Sequence, residues 1–150
     1  MKKINLVLGI VIGIFIFAIV GLTVFIPIFN DNTAKKTAQN VKEIALPTNT
    51  ECVETFSKAG KLVGNGNGMQ YLGGILIKSE LSLQELQSYY SQYTKNEYEC
   101  IVEQQTDKNI SFIEHGTVSL HTDINSESYY IVYSWGDSNS VFSVLDLRGH

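Results

Sequence analysis

The chain has 150 residues, a formal net charge of −4, 44% hydrophobic residues and two cysteines. That length suits one ordinary domain with a short appendage. The acidic balance argues against nucleic-acid binding through a basic footprint, and two cysteines outside any C-x-x-C pattern leave thioredoxin chemistry and zinc ribbons unsupported.

Ile4 to Phe29 carry no charge and consist mostly of Ile, Val, Leu and Phe. A helix rises about 1.5 Å per residue, so about twenty residues cross a hydrocarbon core. Residues 1–29 are therefore expected to be an N-terminal transmembrane anchor. A secretory signal has an apolar region of about 7–15 residues that ends at small residues. Here the run is longer and ends in the bulky Val24-Phe25-Ile26-Pro27-Ile28-Phe29, which favours a retained anchor over a cleaved signal. Lys2 and Lys3 argue for an inside N terminus, and Lys35, Lys36 and Lys42 argue the other way. A short basic tail before a long apolar run behaves as a signal anchor. The expected localisation is the cell membrane, single-pass, with the C-terminal domain outside. Gly9 and Gly13 form a G-x-x-x-G spacing that lets two helix backbones approach. They are the candidate helix–helix contact, and through it a homodimer, although glycine is common in membrane helices anyway.

Residues 30–46 read as a polar juxtamembrane linker or a short helix ending before Pro47. Ala34, Ala38, Val41 and Ala45 would share a face of such a helix, and its lysines would suit anionic head groups. Residues 47–150 form one small soluble domain. Strands are expected at Glu51–Val63 and Met69–Lys78 around the turn Gly64-Asn65-Gly66-Asn67-Gly68, because Asn-Gly accepts positive φ. Gly73-Gly74 within the second strand predicts a bulge or a close backbone contact. Ser82 and Glu85 make a capping box for a helix over Ser82–Thr94, with Leu83, Leu86, Tyr90 and Tyr93 facing a sheet. Further strands are expected at Tyr98–Gln104, Ile110–Glu114, Thr117–Thr122, Tyr129–Trp135 and Val141–Leu147, separated by turn-forming residues. The fold class is α+β: a transmembrane helix, then a mainly antiparallel sheet of β-β-α and meander order. One packed helix cannot cover both faces, so the sheet should curl or leave one face partly open.

No catalytic motif stands out. Gly136-Asp137-Ser138 spells the nucleophile block of GDS-type esterases, but it falls between expected strands, and Asp146 and His150 lack the Asp-x-x-His spacing. His115 and His121 have no third metal ligand, and Glu97, Glu99, Glu103 and Asp107 suit a solvated acidic edge. No cofactor is implied. Cys52 and Cys100 are a candidate disulfide if the domain lies outside; two buried free thiols are the other reading. Tyr129, Tyr133 and Trp135 share one strand face and are the candidate partner-binding face, for a protein or a glycan. Ordinary cross-strand packing gives the same pattern.

The stretch Ala59-Gly60-Lys61-Leu62-Val63-Gly64-Asn65-Gly66-Asn67-Gly68-Met69-Gln70-Tyr71, with Ile75-Leu76-Ile77-Lys78-Ser79-Glu80-Leu81-Ser82 and the Tyr89-Tyr90 helix, resembles small uncharacterised single-pass membrane-anchored proteins of low-GC Gram-positive bacteria. The resemblance covers about a third of the chain, and implies the architecture but no activity. The expected function is a membrane-anchored binding, sensing or accessory module with the bilayer as a partner. A small membrane-tethered hydrolase and a cytoplasm-facing adaptor are the alternatives. A deep pocket with His115 or His121 beside a carboxylate would favour the hydrolase, and an exposed Tyr133–Trp135 face would favour binding.

Overall fold

A computed structural model describes residues 2–94, 99–137 and 140–150, with backbone only for residues 2–5 and 137. The expected strand start at Tyr98, the acidic residue Glu97 and the turn residues Ser138 and Asn139 lie outside the described residues, as do Met1 and the side chains of Lys2 and Lys3. Helix α1 spans Lys2–Lys42. It is followed by β1 (Thr50–Gly60), β2 (Gln70–Ser79), α2 (Leu83–Ser91), β3 (Ile101–Gln104), β4 (Tyr129–Asp137) and α3 (Val141–Leu145), with a final 3₁₀ turn at Leu147–Gly149. The strands form one antiparallel sheet in the order β1-β2-β4-β3. The fold is thus α+β, an antiparallel sheet domain on a long apolar N-terminal helix.

At 41 residues, α1 is about 60 Å long, twice the hydrocarbon thickness of a bilayer. Its two halves have different surroundings. Every residue from Leu6 to Phe25 is exposed, and this half is long and apolar enough to cross a membrane. Beyond it Ile26, Asn30, Ala34, Thr37, Ala38 and Val41 are buried. That three-and-four spacing is one helical stripe, laid along β2. Residues 30–42 therefore continue the apolar helix and form part of the domain's core, where a linker or a separate short helix was expected.

Gly73 sets how closely α1 approaches. A Cβ there would lie 2.7 Å from the Ala34 carbonyl oxygen and would also collide with the Ala38 nitrogen. The Gly-Gly pair thus marks a close backbone contact. The register shift of the sheet falls elsewhere, between Cys52 and Glu54 in β1.

Ser82 accepts from the Glu85 backbone N–H while Glu85 accepts from that of Ser82, so the capping box starts α2 as expected. Leu86 and Tyr90 from α2 join Val41, Ile75, Ile77, Val102, Tyr130 and Val132 in the core on the α1 face. The opposite face holds Phe56, Leu72, Leu76, Tyr129, Ile131 and Tyr133.

That second face is covered, so of the two expectations, a curled sheet or a partly open face, the open face is not found. The residues expected as strands at 110–114 and 117–122 form an irregular loop with a single bridge, Asn109–Ser119. Ile110, Val118 and Leu120 from this loop are buried against the sheet. Their apolar alternation is met by lying across a face, not by pairing at an edge. The expected strand at 141–147 is also absent. Ser140 accepts from the Ser143 N–H and caps α3, and Asp146 accepts from the Arg148 N–H and caps the 3₁₀ turn. Local caps of this kind compete with strand pairing.

Candidate functional site

Where α1 meets the domain, the C-terminal segment closes over it. Asn30, fully buried on α1, donates to an Asp146 carboxylate oxygen (2.7 Å) and to the Phe142 carbonyl (3.0 Å). Its own Oδ1 accepts from the Tyr71 hydroxyl of β2 at 2.7 Å. Arg148 donates through Nη2 to Asp146 Oδ2 (2.8 Å) and to the Pro27 carbonyl (3.1 Å), and through Nη1 to Asp31 (2.8 Å). One Asn, two Asp, one Arg and one Tyr thus join α1, β2 and the C terminus. Gly149 and Arg148 extend the junction by accepting from the Gly68 and Lys61 backbone N–H groups.

The electrostatics follow from this geometry. Burial pushes the Asp146 carboxyl up, but hydrogen bonds from Arg148 and Asn30 outweigh it and hold the group down at about 2. The hydrogen bond to Asp146 raises Arg148 further above its usual range. Burial, and then the Asp146 charge, raise the Tyr71 phenol. The junction is an ion-pair network, two carboxylates on one guanidinium, within a hydrogen-bonded cluster. Its hydrogen bonds hold three elements together.

At the opposite end of the sheet a shallow polar cleft of about 460 Å³ is lined by Asn49, Thr50, Glu51, Lys78, Ser79, Glu80 and Ser128. The Thr50 and Ser79 hydroxyls share a hydrogen bond of 2.7 Å, and Ser79 Oγ accepts from the Leu81 N–H. Asn49 has φ 57, a left-handed conformation that asparagine tolerates. The cleft offers hydroxyls and both charge signs, suited to polar recognition.

The sequence-derived candidates are dispersed. Tyr129 and Tyr133 are buried and Trp135 is half-buried. Phe112 of the covering loop stacks on Tyr133 at 4.7 Å and meets Trp135 edge-on at 5.8 Å. The Tyr133 hydroxyl donates to Glu103 at 2.8 Å. Of the expected partner-binding face, Tyr129 and Tyr133 therefore lie inside the domain and Trp135 stays partly exposed. Cys52 and Cys100 are free thiols. Cys52 lies on the β1 edge and Cys100 just precedes β3 at the other edge. Three strand spacings separate those edges, about 14 Å, beyond the reach of about 7 Å between bridged Cα atoms. Burial pushes Cys100 up to about 11. Burial also raises Cys52, against the Lys42 charge. A Cβ added at Gly9 or Gly13 would meet nothing within 4 Å, so that face of α1 is open.

Neither His115 nor His121 lines the polar cleft. The His115 ring nitrogen pairs with the Gly64 carbonyl at 2.8 Å. His121 is exposed and gives its backbone N–H, with that of Thr122, to the Glu54 carboxylate. Burial would raise Glu54, but these donors outweigh it and lower the group. No set of three or more metal-ligating side chains occurs among the described residues.

Sequence reasoning missed Asn30, Tyr71 and Arg148 as partners, and considered Asp146 only for its spacing to His150. Asn30 sits four residues from both Ile26 and Ala34, a polar position on an otherwise apolar stripe. Asp146 and Arg148 are the only charged residues after Asp137. Those were the available signals.

The fold and junction together define a small α+β domain built onto a helix capable of spanning a membrane. Comparison with known proteins finds no matching family model, no curated protein and no solved structure.

Proposed function

We propose that the protein is a single-pass membrane protein whose domain is built directly onto its anchor and presented outside the cell. It acts there as a binding, sensing or accessory module, with the polar cleft at Thr50 and Ser79 turned away from the bilayer. The observation that carries this reading is the continuity of α1. One helix exposes apolar side chains from Leu6 to Phe25 and then buries Asn30, Ala34, Ala38 and Val41 in the domain. Cleavage at the end of the apolar run would cut the helix beside the junction and remove the Pro27 carbonyl that Arg148 binds. A retained anchor keeps that contact. Lys2 and Lys3 before the unbroken apolar run support an inside N terminus. The separated thiols remove the cysteines as an argument about compartment.

The test is labelling of exposed Cys52 with a membrane-impermeant maleimide, together with the intact mass of the membrane-bound protein. Labelling on intact cells without reductant, at the mass of the uncleaved chain, is the expected outcome. Labelling that requires lysis would place the domain in the cytoplasm and make it an adaptor. A mass lacking the apolar run would make α1 a signal sequence.

A further inference from the structure

We infer that the C-terminal segment, residues 141–147, is a second membrane contact, seated in the interface of the bilayer that α1 crosses. The inference rests on the reading of α1 as a retained membrane span. Val141, Val144, Leu145 and Leu147 are 70%, 65%, 50% and 81% exposed. Among the described residues outside α1, the other exposed large hydrophobics are Leu46 and Val53, at 37% and 38%. Four strongly exposed apolar side chains within seven residues form a patch that needs an occupant.

Three observations identify that occupant as lipid. The patch is continuous with the apolar surface of α1: the Phe142 ring packs against Phe25 and Phe29 at 5.7 and 4.5 Å. Leu145 and Leu147 line one groove with Leu22, Thr23, Ile26 and Pro27, and the paired Asp146 and Arg148 complete its wall. The depth also matches. About twenty residues cross the hydrocarbon, so a span starting at Ile4 reaches the far boundary near Thr23, level with that groove. Finally, Asp146, the one charged residue of this segment, is paired with Arg148 and hydrogen-bonded by Asn30. A short amphipathic segment with its charge paired and its apolar side chains outward suits the boundary between head groups and acyl chains. Two contacts, α1 and this segment, would then fix the rotation of the domain about α1, and with it the direction in which the opposite cleft faces.

The experiment uses the full chain with Cys52→Ser and Cys100→Ser, reconstituted in phosphatidylcholine vesicles. Single nitroxide labels are placed at Val144→Cys, Leu147→Cys, Leu22→Cys and Glu51→Cys. Val144, Leu147 and Glu51 are exposed on the domain, so labels there leave its core intact. Collision with oxygen, which partitions into lipid, is compared with collision with a water-soluble nickel chelate. The expected result is a ratio of oxygen to nickel collision at 144 and 147 close to that at 22, and severalfold above that at 51. Lipid-like behaviour at 22 with water-like behaviour at 144 and 147 overturns the inference and leaves the anchor reading standing. Shielding of 144 and 147 from both reagents also overturns it, because another protein surface then covers the patch. Water-like behaviour at 22 removes the anchor reading itself.

Discussion

At the scale of single residues, the acid sensitivity of the domain should centre on Asp146. Its carboxyl is held at about 2 in the folded chain, against an ordinary value of 3.8. A depressed folded value means that the stabilisation is complete above about pH 4 and is lost as the pH falls toward 2. Asp146→Asn removes the charge that Arg148 binds. It should lower stability near neutral pH by about 2 kcal/mol, the range for hydrogen bonds to charged groups. The gap in melting temperature between variant and parent should then close between pH 4 and 2. A gap that persists unchanged at pH 2 would show that the charge is not what matters. Glu54 plays a comparable part for the covering loop, accepting from the His121 and Thr122 N–H groups and the Thr122 hydroxyl. Glu54→Ala should leave the sheet intact and speed amide hydrogen exchange over residues 105–128. Exchange there at the parental rate would mean that the apolar contacts of Ile110, Val118 and Leu120 hold the loop alone.

At the scale of elements, Gly73 is the point at which α1 and β2 depend on each other. Backbone, not a movable side chain, occupies the space a Cβ would need. Gly73→Ala should therefore destabilise the domain by more than the ~1–3 kcal/mol typical of overpacking, read as a fall in denaturation midpoint. Gly13→Ala should leave that midpoint unchanged, since nothing lies within 4 Å of its added methyl. Equal effects of the two substitutions would mean that α1 is not seated on β2 through this contact. The same elements explain what was legible in the sequence. Gly73-Gly74 announced a bulge or a close approach, of which the close approach is found, the Ser82–Glu85 pattern announced α2, and the apolar run announced the first half of α1. These signals are local. The second half of α1 was harder to read because its buried residues are mostly small or polar (Asn30, Ala34, Thr37 and Ala38), so its stripe looks like that of a solvated helix. Ile110–Thr122 alternate like a strand, and only the position of the sheet beneath them shows that they cross a face. The junction site was illegible for the same reason. Asn30 and Asp146 are 116 positions apart, and no pattern in the sequence pairs them.

For the whole molecule, the second half of α1 is packed into the sheet domain, which separates this architecture from a head on a flexible stalk. The stripe from Ile26 to Val41 contributes to three parts of the domain: the junction through Asn30, the close packing on Gly73 through Ala34 and Ala38, and the α2 core through Val41. Burial of Ile26 and Val41 alone contributes about 1.5–3 kcal/mol each, a large part of the ~5–15 kcal/mol that holds a typical domain together. Without α1, the fully buried Ile75 and Ile77 would lose part of their cover, and Tyr71 would lose the partner of its buried hydroxyl. A chain shortened to begin at Phe25 keeps the stripe, the Phe142 contact and the Pro27 carbonyl, and should unfold cooperatively. A chain shortened to begin at Pro47 keeps all four strands and α2, and should nevertheless lack a cooperative transition and bind a dye for exposed apolar surface. Circular dichroism melts of the two shortened chains, in mild detergent to cover the exposed Val144 and Leu147, make the comparison. Cooperative unfolding of the chain from Pro47 would show that the sheet and α2 suffice, and would turn the second half of α1 into a detachable connector.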